Sequence, residues 1–209
     1  MEKSEAKYIL DVLKQEYPNA KCELNFNNNF ELLIAVCLSA QTTDKRVNIV
    51  TKELFEKYDN PYKLKDANYE DVKEIIKSLG LSSTKARNII EISQKLVDDF
   101  KGKVPSTREE LMLLPGVGRK TSNVVLSVGF NIPAIAVDTH VKRVSNRLGL
   151  SDSEDVLKIE EDLMKLFDEE DYYQVHHCLI FFGRYYCKAK NPDCNNCILK
   201  DKCKKIVVK

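Results

Sequence analysis

Apolar residues in this chain recur at the 3.6-residue period in nearly every segment, and no stretch alternates convincingly at period 2. A half-buried sheet needs that alternation, so the core must be built from helices and the fold class is all-α. Val47, Val50 and Leu54 fall on one face behind Asp44, which is placed to cap them. Val72, Ile75, Ile76 and Leu79 fall on another behind Asn68, with Gly80 as the stop. A third run starts at Ser83 and carries Ala86, Ile90, Leu96 and Phe100. The same period predicts further helices at about 5–17, 29–39, 107–113, 119–129, 139–148, 153–167 and 171–187. No array of fixed period interrupts them. At 209 residues the helices can form one domain or two small ones.

The N-terminus "MEKSEAKYILDVLKQEY" mixes acids with its basic residues and lacks a long apolar centre, so no targeting segment is expected. No apolar run reaches the roughly 18 residues of a membrane span. A cytoplasmic location follows, and in that reducing setting seven cysteines point to metal ligation or burial, not disulfides. The net charge of +1 does not by itself suggest a nucleic-acid partner. Its distribution is more telling. Ser151 to Asp171 holds ten acids and two lysines, whereas Cys187 to Lys209 holds seven lysines and two aspartates, and Lys101 to Lys120 is also positive. A fold that separates these segments presents a basic face despite near neutrality, although a merely solvated surface has the same composition.

The stretch "LPGVGRKTSNVV" from Leu114 resembles a nucleotide-binding loop at first sight. A P-loop needs four residues between its glycines and a lysine directly after the second. Here Gly116 and Gly118 are separated only by Val117, and Arg119 precedes Lys120. The loop is therefore too short for a triphosphate. Ser106 and Glu109 form a capping box for the preceding helix, Pro115 and the glycines make a tight turn, and Arg119 opens the next helix. Helix, glycine hairpin and helix together leave backbone amides for one phosphate, or serve as an ordinary turn with Val117 packed inward. Two cations in a first helical turn favour the anion site, because the helix field repels them there.

Four cysteines lie in the last 23 residues with the spacing C-x6-C-x2-C-x5-C: Cys187, Cys194, Cys197 and Cys203. Thiols gathered in a lysine-rich loop imply a metal. The spacing matches neither paired zinc knuckles nor the bacterial ferredoxin pattern, so it leaves the metal open. Cys37 and Cys178 fit buried helix positions, and the adjacent His176 and His177 fit a helix surface or core. Asp138 ends the apolar run "AIAV" before a helix with Val141, Val144 and Leu148 on one face, where it suits an N-cap. Gln41 in "SAQTTD" suits a polar loop, and Leu81 after Gly80 suits the apolar contact of a helix C-cap.

Taken together, "ELNFNNNFELLIAVCLSAQTTD", "LGLSSTKARNI", "LPGVGRKTSNVV", "IAVDTHVKRVSNRLGL" and the cysteine tail resemble the endonuclease III family of helix-hairpin-helix DNA glycosylases, over nearly the whole chain. The resemblance implies a six-helix domain with the hairpin motif at 22–132. It implies a second, discontinuous helical domain from 1–21 and 133–209, ending in a [4Fe–4S] cluster loop, with the active site in the cleft between the two. Gly116, Val117, Gly118, Arg119 and Thr121 would grip a DNA phosphate. Gln41 would fill the space left by an expelled nucleotide, and Leu81 would wedge the opposite strand. Thr42, Asp44, His140, Arg143, Lys188 and Lys190 would complete the DNA contacts, and Lys120 and Asp138 would do the chemistry. The implied partner is double-stranded DNA carrying oxidised pyrimidines or abasic sites, met by a nucleoid-associated monomer. The absence of tryptophan leaves any base stacking to Tyr and Phe.

That chemistry is base excision by a bifunctional glycosylase and AP lyase. C1′ is inaccessible inside the stack, so the nucleotide must be flipped out. A lysine amine then displaces the base, forms a Schiff base with the sugar and cuts the strand by β-elimination. At pH 7 a free lysine is neutral in about one molecule in a few thousand. The helix start, Arg119 and desolvation would favour the neutral Lys120 amine. Asp138 would stabilise positive charge on the sugar and shuttle a proton. The competing readings are a monofunctional mismatch glycosylase in which Asp138 activates water, a non-catalytic Fe–S DNA-binding module, and an electron carrier.

Overall fold

The computed structural model describes residues 1–204 and is all-helical over them. The end of the expected second domain, 205–209, with two of its seven tail lysines, lies outside the described residues. The chain divides into two compact units, one from Glu23 to Ile132 and one from Met1–Cys22 with the chain from Pro133 onward. No helix among the described residues is long and apolar enough to cross a membrane.

The continuous unit is organised by a helix that is apolar on every side. After α1 (Lys3–Glu16), which belongs to the other unit, α2 (Asn29–Leu38) buries Leu32, Leu33, Ile34, Ala35 and Leu38 completely. A helix without a polar face has to sit at the centre of a core. Around it pack α3 (Asp44–Lys57), α6 (Ser82–Phe100) and α8 (Arg119–Val124), the last extended by a π-helical turn, Val125–Gly129. The short helices α4 (Pro61–Leu64) and α5 (Tyr69–Ile75) pack on α6, and α7 (Arg108–Leu111) packs on α8.

Caps account for most differences from the sequence pattern. Asn68 caps α5 as expected, taking the amides of Glu70 and Asp71. The cap of α3 is Thr43 instead of Asp44, which becomes the first helical residue, where its charge still faces the positive helix end. The capping box lies one residue further on than Ser106 and Glu109: Thr107 Oγ1 accepts from the Glu110 amide and donates to its carboxylate at 2.7 Å. Pro61, fixed at a helical φ at N1, starts a helix too short for periodicity to detect. Gly80 stops nothing, because α5 has already ended at Ile75, and α6 starts at Ser82, not Ser83.

The discontinuous unit packs α1 against α11 (Tyr172–Phe181) and α10 (Val156–Leu166), and α9 (Thr139–Leu148) against both α10 and α11. Ile9, Leu13, Val141, Val144, Ile159, Leu163 and Val175 form its core. His176 and His177 are core residues, not surface ones. His176 Nδ1 lies 2.8 Å from the Ala136 carbonyl, and burial with the two neighbouring cationic groups pushes the His177 imidazole down to about 2, so it stays neutral. Beyond α11 a π-helical turn, Phe182–Tyr186, leads into the cysteine loop, whose Leu199 is anchored in the same core.

Candidate functional site

Within the continuous unit, the hairpin between α7 and α8 presents Lys120. Val117 is buried and its amide bonds the Leu114 carbonyl at 3.1 Å, so the inward valine and the tight turn are both present. Arg108 Nε donates to the fully buried Asn123 Oδ1 at 2.8 Å and ties α7 to α8. Gly118 is the N-cap and brings no side chain to the first-turn amides, which have no helical acceptor. Lys120, at the second position of α8, is exposed.

The two glycines serve different ends. Gly116 has φ +70, where a side chain is strained, and a Cβ there would lie 2.6 Å from Asn88 Nδ2 on α6, so any larger residue must carry that strain and displace the Asn88 side chain. Gly118 has φ −98 and a Cβ would meet nothing within 4 Å. Gly118→Val is therefore expected to melt like the parent protein and yet to lose roughly tenfold or more in affinity for damaged and undamaged duplex alike, because a phosphate grip reads no base. Calorimetry and fluorescence anisotropy on both duplexes check this; unchanged affinity would remove the hairpin from the DNA interface.

In the same unit Gln41 and Leu81 both occupy the left-handed region, with φ of 55 and 61. This is costly for any residue with a Cβ, and strain of this kind concentrates at ligand-binding sites. Both side chains are exposed, Leu81 at 62%, so it makes no C-cap contact. Between them stands a residue that the sequence did not mark. Lys85 Nζ donates to the Ala40 carbonyl at 2.8 Å and to Thr42 Oγ1 at 3.1 Å, so Thr42 is held against protein.

In the discontinuous unit Asp138 is the N-cap of α9. A single oxygen, Oδ1, accepts from both the His140 and Val141 amides at 2.8 Å. Oδ2 accepts no hydrogen bond among the described residues, so capping leaves half of the carboxylate available. Arg143 is already engaged within the protein. Its donors go to the carbonyls of Cys187 at 3.1 Å and Gly183 at 2.6 Å, with Nη2 also 3.2 Å from His140 Nδ1. It braces the cysteine loop, and few of its five donors remain for a nucleic acid.

Arg147, one turn further along α9, completes that brace. It donates to Cys187 Sγ at 3.3 Å and to the carbonyls of Lys188 and Ala189 at 2.8 and 3.2 Å. The i, i+4 spacing places both arginines on one face of α9, but Arg147 lies 40 positions before Cys187, and no local signal in the sequence joins them. Cys187, Cys194, Cys197 and Cys203 line one pocket with Arg147, Leu148, Phe182, Tyr186 and Pro192. Burial and the neighbouring thiols push the Cys197 thiol up. Among the described residues no three His, Cys, Asp or Glu side chains are gathered closely enough to hold a metal ion; the four cysteines line one shared space, and four thiolates are a donor set that suits an iron–sulfur centre. Lys188 and Lys190 stand exposed beside it.

Comparison with known proteins bears on this constellation directly. Residues 34–169 match the family described as HhH-GPD superfamily base excision DNA repair protein. Endonuclease III of Bacillus subtilis (strain 168) is 51% identical over 198 residues, 94% of this chain and 90% of that protein. Endonuclease III of Escherichia coli (strain K12) is 45% identical, with 97% and 96% covered. A solved trapped endonuclease III–DNA covalent intermediate, in an estranged-adenine complex, is 51% identical and superposes with a TM-score of 0.93 over 98% of this chain and 96% of that one. A thermostable thymine-DNA glycosylase, at 22% identity and a TM-score of 0.87 over 96% of each chain, shares the fold.

Proposed function

Since the chain belongs to the HhH-GPD superfamily of base excision DNA repair proteins, and within it to the endonuclease III family, we propose a mechanism in which Lys120 and Asp138 serve one extruded nucleotide. The protein is a bifunctional DNA glycosylase and AP lyase acting on double-stranded DNA. Oxidised pyrimidines are the proposed lesions. The observation that carries the lyase reading is that a 51% identical relative was caught covalently joined to DNA; here the exposed Lys120 amine supplies the nucleophile.

The hairpin holds a phosphate through backbone amides, and the lesion nucleotide leaves the stack. Lys120 Nζ gives its lone pair to C1′ as the C1′–N bond breaks, and the pair from that bond leaves with the base, which takes up a proton. Ring opening yields a Schiff base, from which loss of a C2′ proton expels the 3′ phosphate. Asp138 Oδ2, not used in capping, stabilises the positive charge that develops on the sugar and accepts a proton from the attacking amine. Oδ1 meanwhile holds the carboxylate in place through α9.

A [4Fe–4S] cluster is the cofactor this donor set suits. Cys187, Cys194, Cys197 and Cys203 would hold it, with Arg147 donating toward Cys187 Sγ. When bound it supplies a structural cross-link for a loop with only one short 3₁₀ turn, Lys200–Lys202.

The test is borohydride trapping on a duplex containing thymine glycol. A covalent protein–DNA adduct and a strand nick are expected. Base release with neither adduct nor nick would establish a monofunctional enzyme in which water, not Lys120, attacks.

A further inference from the structure

We propose that Lys85 is a positioning residue that locks the Gln41 loop and the Leu81 turn into one pre-set gap-filling unit. Its side chain and its backbone each hold one of the two. Nζ donates to the groups flanking Gln41, the Ala40 carbonyl at 2.8 Å and Thr42 Oγ1 at 3.1 Å. The Lys85 amide donates to the Leu81 carbonyl at 3.0 Å. A single residue thus connects these two left-handed, exposed positions, although 39 residues of chain lie between them.

The fold alone does not ask for a lysine here. Lys85 is only 6% exposed, forms no ion pair among the described residues, and sits in the first turn of α6, where a cation opposes the helix field. An apolar side chain of similar length would fill the space at lower cost. What the ammonium adds is two hydrogen bonds that close the arch Ala40–Gln41–Thr42 from below and hold Gln41 at φ 55 while it stays exposed. Burial lowers the Lys85 pKa. A filler set before DNA arrives loses little freedom when a nucleotide leaves the stack, and the gain appears in the extrusion step.

The inference rests on Gln41 and Leu81 being the residues that fill the gap, and the test separates the two ideas. Full-length, cluster-loaded protein is assayed under single turnover on thymine glycol in a fully paired duplex and on the same lesion inside an unpaired loop, where no stack has to be opened. Lys85→Met keeps length and volume without the charge. It is expected to slow base release from the paired duplex by ~10-fold or more and from the loop by less than about twofold. Thr42→Val, which keeps the ammonium and removes one acceptor, should fall between. On a Gln41→Ala background, Lys85→Met should add nothing. Equal slowing on both substrates, or none on either, overturns the proposal. If Lys85→Met melts early, Thr42→Val alone decides by the same comparison. Gln41→Ala and Leu81→Ala that treat the two substrates alike would overturn the gap-filling reading itself, whereas failure of Lys85→Met while they discriminate would remove Lys85 only.

Discussion

Lys120→Gln is expected to form no borohydride-trapped adduct and to release base at least ~10³-fold more slowly than the parent, the order of loss when a covalent nucleophile is removed. Because Lys120 is exposed and glutamine is tolerated at a solvated helix position, melting should be unchanged. Lesion binding should also survive, since the hairpin amides proposed to hold the phosphate are backbone groups that the substitution leaves in place. An adduct that persists in this variant would place the nucleophile elsewhere. Asp138→Asn provides the internal control. Asparagine keeps an oxygen that can take the His140 and Val141 amides, so α9 stays capped, but the negative charge opposite the developing cation is gone. Slower base release with near-normal binding is expected, and equal losses of both would reduce Asp138 to its capping role.

Cys197→Ser is expected to have the second large effect, on structure before activity. The parent should purify yellow-brown with about four irons per chain; the variant should lose colour and iron. Around the loop the fixed points are Arg147, Arg143 and Leu199, and only one short 3₁₀ turn lies between Cys187 and Cys203. A structural centre worth even ~3 kcal/mol would lower Tm by about 10 °C in a chain of this size. Duplex binding should fall with it, because exposed Lys188 and Lys190 flank the loop. Stoichiometric zinc in anaerobically prepared parent protein, or a colourless variant with full affinity and unchanged Tm, would refute the cluster and its structural role respectively.

Two contrasts show where information of each kind lies. Asn68 and Asp138 cap the helices that periodicity assigns to them, while Asp44 and Ser106 lose the cap to neighbours one residue away. Both outcomes are local, since hydroxyl- and carboxyl-bearing residues compete within one turn, and a window of sequence finds the helix more surely than the cap.

What the sequence alone determined was the longer helices, the hairpin turn and the four-cysteine tail, because 3.6-residue periodicity, turn residues and ligand spacing act over a few residues and are written consecutively. The tertiary structure decided the rest. Left-handed backbone at Gln41 and Leu81 falls on no glycine that would announce it, and the Gln41 loop is held by Lys85 from a distant part of the chain. Gly116 combines a left-handed φ of +70 with a close approach to the Asn88 side chain, whereas a Cβ at Gly118 would meet no neighbour within 4 Å. Arg143 braces the cysteine loop because the carbonyls of Gly183 and Cys187 come within its reach once α9 and α11 pack together. Each of these depends on groups brought into contact only by burial of the core, and no local pattern of residues records such a meeting.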